Sequence, residues 1–243
     1  MNPFPEHALL FLSAAFAAEI IESVIGFGSA LLLVPLAALF LPVPEAIVLS
    51  GLFHLFGSLS RSVLSMRFIR WPTVVRFGLP AAIAAPIGAF LLPAFDASDL
   101  QLILGITLLL YAVFSLYHHR IRFETSSVLI SVAGAVSGFV AGLLGTTGLI
   151  QAAVLSALSV KNRTYLATVA AVALVTDVPR VMVYHITGQL NTTGWFTVSL
   201  LTVAIAGAIL GGRIVKRVTG RAERRSIFIA LLLAGVYFII TKM

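Results

Sequence analysis

The chain has no cysteine, and charged residues fill only 10% of its 243 positions. The first absence excludes disulfides and thiolate chemistry. The second excludes a soluble domain: at 60% hydrophobic residues and a mean hydropathy of +1.08, too little polar surface remains to face water. No His, Asp or Glu cluster has metal-ligand spacing, and there is no nucleophile–base motif or phosphate loop. No cofactor and no enzymatic activity is therefore expected. The N-terminus, Met1-Asn-Pro-Phe-Pro-Glu-His7, lacks the basic region of a cleaved leader, so the first apolar run is expected to stay.

What the chain does have is long apolar runs without the ten-residue alternation of barrel strands, which predicts a polytopic all-α membrane protein. The net charge of +7 does not indicate a nucleic-acid partner. Nearly all sixteen Lys and Arg residues fall in short gaps between apolar runs, where they set orientation.

Two runs are too long to be single spans. Residues 8–41 as one helix would measure roughly 50 Å, against a hydrocarbon core of about 30 Å. The run at about 127–159 poses the same problem. Each carries glycines and small polar residues near its middle: Gly26-Phe27-Gly28-Ser29 in the first, Gly145-Thr146-Thr147-Gly148 in the second. Glycine allows backbone conformations a helix cannot use, so each run is expected to be two helical arms joined by a turn buried in protein. The remaining spans fall at about 46–66, 73–92, 100–117, 164–185, 195–212 and 226–241. The gaps 67–76, 118–122, 161–163 and 213–225 are basic and are assigned to the cytoplasmic side of a cell (inner) membrane. Those at 42–45, 93–99 and 186–194 hold no Lys or Arg and face outward.

Shifting the sequence by 119 residues places Gly26 on Gly145, Arg61 on Arg180 and Gly88 on Gly207 without a gap. Each half, 1–122 and 123–243, reads as a hairpin plus three spans, and loop charge inverts at all three equivalent loops. That pattern predicts two inverted-topology repeats.

In such a construction the substrate sits near the midplane, where broken helices meet. Helices starting at Gly26-Phe27-Gly28-Ser29 and at Thr146-Thr147-Gly148 would aim free N–H groups and positive dipole ends at one point, which favours an anion. Ser29, Thr146 and Thr147 add hydroxyls, and Gln151 adds an amide. Alternatively the glycines serve packing, as in a Gly138/Gly142 small-xxx-small contact. Arg180 lies well inside its span with Asp177 three residues earlier. It is either an oxyanion-binding fork or half of a locked ion pair. Arg61, its repeat mate, is a second ligand candidate or snorkels to the interface. Glu19 and Glu22, one turn apart, are candidate proton carriers or partners for the arginines. His54 and Ser58 share a face of the second span; His54 lines the cavity or is a hydrogen-bonded packing residue. His118-His119 reads as a solvated loop end.

At these residues the chain resembles the TauE/SafE (sulfite exporter, DUF81-like) family of permeases. The resemblance rests on Gly26-Phe27-Gly28-Ser29 followed by Val34-Pro35-Leu36, on Gly142-Leu-Leu-Gly145, and on Asp177-Val-Pro-Arg180 followed by Tyr184 and Gly188. It covers essentially the whole chain. Ser29 and Ala30 stand where more glycines usually follow. The resemblance implies transport, often export, of small sulfur-containing anions such as sulfite, sulfonates or sulfoacetate. Taken with the residues, the expectation is a proton-coupled anion transporter embedded in lipid. The alternatives are a passive anion channel of the same architecture and a membrane-embedded lipid-modifying enzyme.

Overall fold

The computed structural model describes residues 7–25, 29–117, 126–146, 148–157, 162–214, 232 and 234–240. Among them every regular element is helical. The first long run holds two helices that pack on each other, α1 (Ala8–Ile25) and α2 (Ser29–Ala37), and the residues between them, 26–28, lie outside the described residues. The second is broken into α7 (Ser127–Leu144) and α8 (Gly148–Ala157). Gly145 ends α7 in the left-handed region at φ 78°, its N–H donating to the Ala141 carbonyl. A residue with a Cβ would be strained there, which is why the helix stops at a glycine.

Between the two long runs lie α3 (Val43–Ser65), the short α4 (Trp71–Thr73), a π-helical turn at Val74–Gly78, α5 (Leu79–Leu91) and α6 (Ala97–Tyr117). Pro42 and Pro44 start α3 where no intrahelical N–H is needed. After the second break come α9 (Asn162–Ile186) and α10 (Gly194–Ile214), and residues 234–240 are helical. Five helices among the described residues are long and apolar enough to cross a membrane: Val43–Phe68, Trp71–Ala94, Ser127–Leu144, Arg163–Ile186 and Gly194–Ile214. The expected basic gap 118–122 and most of 213–225 lie outside the described residues, as does half of the last span.

Packing follows the glycines. α7 lies against the π-helical turn through Gly134 and against α5 through Gly138 and Gly142, where an added Cβ would run into the backbone carbonyls of Phe77, Ala81 and Ala85. Such close approach is how helices associate where water supplies no hydrophobic drive. α1 packs on α10, and α3 packs on α9. The main core gathers Phe11, Leu31, Phe53, Tyr184 and Phe196, with a smaller cluster around Phe77, Ile130 and Val172. Outward faces stay apolar: Ile83, Phe90, Val128 and Val198 are exposed, as lipid contact requires.

Candidate functional site: a buried chain of charges beside a basic cavity

α1, α3 and α9 bring six ionisable side chains into one connected series. Arg61 of α3 donates through Nη1 to Glu19 and through Nη2 to Glu22 Oε1 at 2.7 Å, both on α1. The same Glu22 oxygen lies 3.0 Å from His54 Nε2. His54 Nδ1 is 2.7 Å from Asp177 Oδ2 on α9. Ser58 shares its hydroxyl between the Leu55 carbonyl and Asp177 Oδ2, each 3.1 Å away. Asp177 Oδ1 accepts from Arg180 Nε at 2.9 Å, and Arg180 Nη2 lies 2.7 Å from that oxygen without hydrogen-bond geometry. Finally Arg180 Nη1 donates to the Ala141 carbonyl at 2.7 Å, and the Tyr184 hydroxyl donates to the Gly142 carbonyl.

These groups are almost wholly withdrawn from solvent; Glu19, Asp177 and Arg180 are 0% exposed. Removing charges from water is tolerable only if they pair and their remaining hydrogen-bond capacity is met. The helices bring the charges into pairs by spacing, with Glu19 Oε2 and Arg180 Nη2 left without a hydrogen bond among the described residues. Glu19 and Glu22 are one turn apart on α1, His54, Ser58 and Arg61 share a face of α3, and Asp177, Arg180 and Tyr184 share a face of α9. Glycines make the room. A Cβ on Gly57 would collide with the Glu19 carboxylate, one on Gly207 would come 2.8 Å from its Cβ and Cγ, and one on Gly51 would come 3.2 Å from the Tyr184 ring.

His54 fixes a proton count. A neutral imidazole offers one N–H and one lone pair, whereas an ionised carboxylate only accepts. Both contacts of His54 are hydrogen bonds only when the ring is doubly protonated or when Glu22 or Asp177 carries a proton. The Glu22–His54–Asp177 set therefore holds a proton that three sites can share. Charge arithmetic agrees: three carboxylates against two guanidiniums leave one negative charge, which that proton cancels.

Beside this series a cavity of about 270 Å³ is lined by Glu22, Ser23, Arg61, Leu64, Ser65, Arg67, Phe68, Arg163, Leu166, Ala208 and Gly212. Its inner wall is the Arg61–Glu22 pair. Arg67 and Arg163 stand over the Phe68 ring, their Cζ atoms 4.8 and 5.8 Å from its centroid.

The family model for the sulfite exporter TauE/SafE matches residues 10–238. The chain belongs to the TauE/SafE family. No curated protein and no solved structure matches it. As a TauE/SafE protein it is a multi-pass membrane protein of a transporter family whose members are described as sulfite exporters.

Of the residues singled out in this TauE/SafE sequence, Glu19, Glu22, His54, Ser58, Arg61, Asp177 and Arg180 come together. Arg61 and Glu22 reach the cavity, while Arg180 lies behind them, engaged by Asp177 and by the last-turn carbonyls of α7. Those carbonyls form the negative end of the α7 dipole, a favourable seat for a cation. Thr146 is buried at the second break. Gln151 is also buried, its amide donating to the Val169 carbonyl at 2.8 Å rather than to the charged series. Gly148 opens α8, and Ser29 opens α2. Gly26, Phe27, Gly28 and Thr147 lie outside the described residues. Sequence reasoning passed over Arg67, Phe68 and Arg163, taking the arginines only as orientation markers. Their adjacency across 96 positions leaves no local trace in the sequence.

Proposed function

We propose that this protein is a secondary transporter that exports small sulfur-containing or organic anions, such as sulfite, sulfonates or sulfoacetate, in exchange for or together with protons. The observation that carries the proposal is the His54 bridge between Glu22 and Asp177. A shared proton at the junction of three helices is a coupling element: moving it changes the charge that Arg61 and Arg180 each face. Arg180 and Arg61 act as anion ligands, supported by Ser58 and Asp177. The turns at Gly26–Ser29 and Thr146–Gly148, with Gln151, form the cradle, and Glu22 and Glu19 carry protons.

Alternating access by two inverted repeats, 1–122 and 123–243, is part of this reading. Three exchanges support it. α1 packs on α10, whereas its counterpart α7 packs on α5. Arg61 donates to Glu22, and the equivalent Arg180 donates to the backbone of Ala141, the residue equivalent to Glu22. Gly88 meets α7 and Gly207 meets α1. The basic ends, including Arg67 and Arg163, lie on the cytoplasmic face of the inner membrane, so the cavity opens inward.

The test is sulfite and sulfoacetate flux in proteoliposomes. A carrier gives saturable flux that responds to a pH gradient and is lost in Arg180→Ala. Flux linear in concentration and indifferent to pH would indicate a passive channel instead.

A further inference from the structure

We propose that Arg67 and Arg163 form a second oxyanion site at the mouth of the cavity, separate from the buried Arg180 and occupied before the anion reaches Arg61. Two like charges converge on one Phe68 ring. Each gains cation–π attraction, yet the pair repels itself. Neither has an ion-pair partner among the described residues, whereas Arg61 in the same cavity is spoken for by Glu19 and Glu22. Among the described residues Glu22 is the only carboxylate lining the cavity, and it is engaged by Arg61 and His54, so these residues leave the mouth an excess of two positive charges. An anion at the mouth offsets this excess of positive charge and accepts hydrogen bonds from the guanidinium forks.

The ligand's chemistry follows from the walls. Ser65 adds a hydroxyl, while Leu64, Phe68, Leu166 and Ala208 are apolar. The cavity, about 270 Å³, sets these apolar walls beside the two guanidiniums, which suits an oxyanion bearing a short carbon body. Once there, the anion lies in the same cavity as Arg61, which it can take only by displacing Glu19 or Glu22. The site thus orders the events: capture outside the buried series, then exchange with its carboxylates.

Calorimetric titration of the full detergent-solubilised chain at low salt tests this, with ethanesulfonate and sulfite as probes. The expected result is ethanesulfonate binding, weakened about tenfold or more in Arg67→Gln/Arg163→Gln, weakened several-fold in Phe68→Leu, and only partly retained in Arg67→Lys/Arg163→Lys, which keeps the charge and loses the forks. Salt weakens it, since both guanidiniums are exposed. Binding unchanged in the Gln double variant would overturn the proposal. So would a cavity that takes phosphatidylglycerol micelles through the same arginines and no ethanesulfonate, which would make it a lipid headgroup contact. Failure here is distinguishable from failure of the transport reading, because the binding readout needs no flux and the flux readout needs no outer site.

Discussion

The Ser58 hydroxyl reaches the Asp177 carboxylate at 3.1 Å, and the two residues are 119 positions apart, the same offset that lines up Gly26 with Gly145 and Arg61 with Arg180. Equivalent positions that touch each other must lie beside any axis relating the two halves. On the proposed two-repeat reading the meeting of α3 and α9 lies at the pivot, where one equivalent position holds a hydroxyl and the other a carboxylate. His54 has no such counterpart, because position 173 is alanine. In the proposed mechanism that asymmetry leaves the bridging proton one route, between Glu22 and Asp177.

Asp177 should be the residue whose loss the fold tolerates least. Asp177→Asn leaves Arg180 buried without its counter-charge, at a cost of about 3–5 kcal/mol. The double variant Asp177→Asn/Arg180→Gln removes both charges and should recover a large part of the lost melting temperature. Measured in detergent, a double variant as unstable as Asp177→Asn would show that the pair is not what holds α9 in place.

Gly57→Ala should destabilise, although a glycine-to-alanine change inside a helix normally stabilises by about 0.5–1 kcal/mol. The new methyl falls on the Glu19 carboxylate, so Glu19 must leave Arg61 or the helices must part, costing about 1–3 kcal/mol. Gly194→Ala, with nothing within 4 Å of the added Cβ, should leave the melting temperature nearly unchanged. Equal melting temperatures for the two variants would contradict the seat assigned to Glu19.

The chain's freedom from cysteine makes its orientation directly measurable. Single cysteines at Ala94 and Leu190 should react with a membrane-impermeant maleimide added to intact cells, while one at Met66 should react only after permeabilisation. The opposite pattern would invert the assigned topology and turn the cavity outward.

Much of this was legible in the sequence, and the reason is the membrane. An apolar run longer than the bilayer has to break, so two helices in each long run could be read from length, and for α7/α8 Gly145 marks where. A charged side chain inside such a run is costly enough to be noticed singly, and that is how Glu19, Glu22, Arg61, Asp177 and Arg180 were found. Their partnerships were not legible. His54 sits 32 residues from Glu22 and 123 from Asp177, and nothing in local spacing distinguishes a bridge between two carboxylates from a packing histidine. Nor does the sequence reveal that Gly57 and Gly207 hollow out a place for Glu19, because a glycine's neighbours are known only once the helices are packed. Arg67 and Arg163 were legible as charges at span ends, a signal so common that it hid their meeting over Phe68.

The central claim is that anion movement is tied to the proton held among Glu22, His54 and Asp177. Proton movement recorded by a lumenal pH dye in proteoliposomes, on adding sulfoacetate near neutral pH, tests it most directly, because a sulfonate brings no titratable proton of its own in that range. The account predicts proton flux that rises and saturates with sulfoacetate in the wild type, and sulfoacetate flux without proton movement in Glu22→Gln. Sulfoacetate flux in the wild type with no proton movement, or proton movement undiminished in Glu22→Gln, would contradict it.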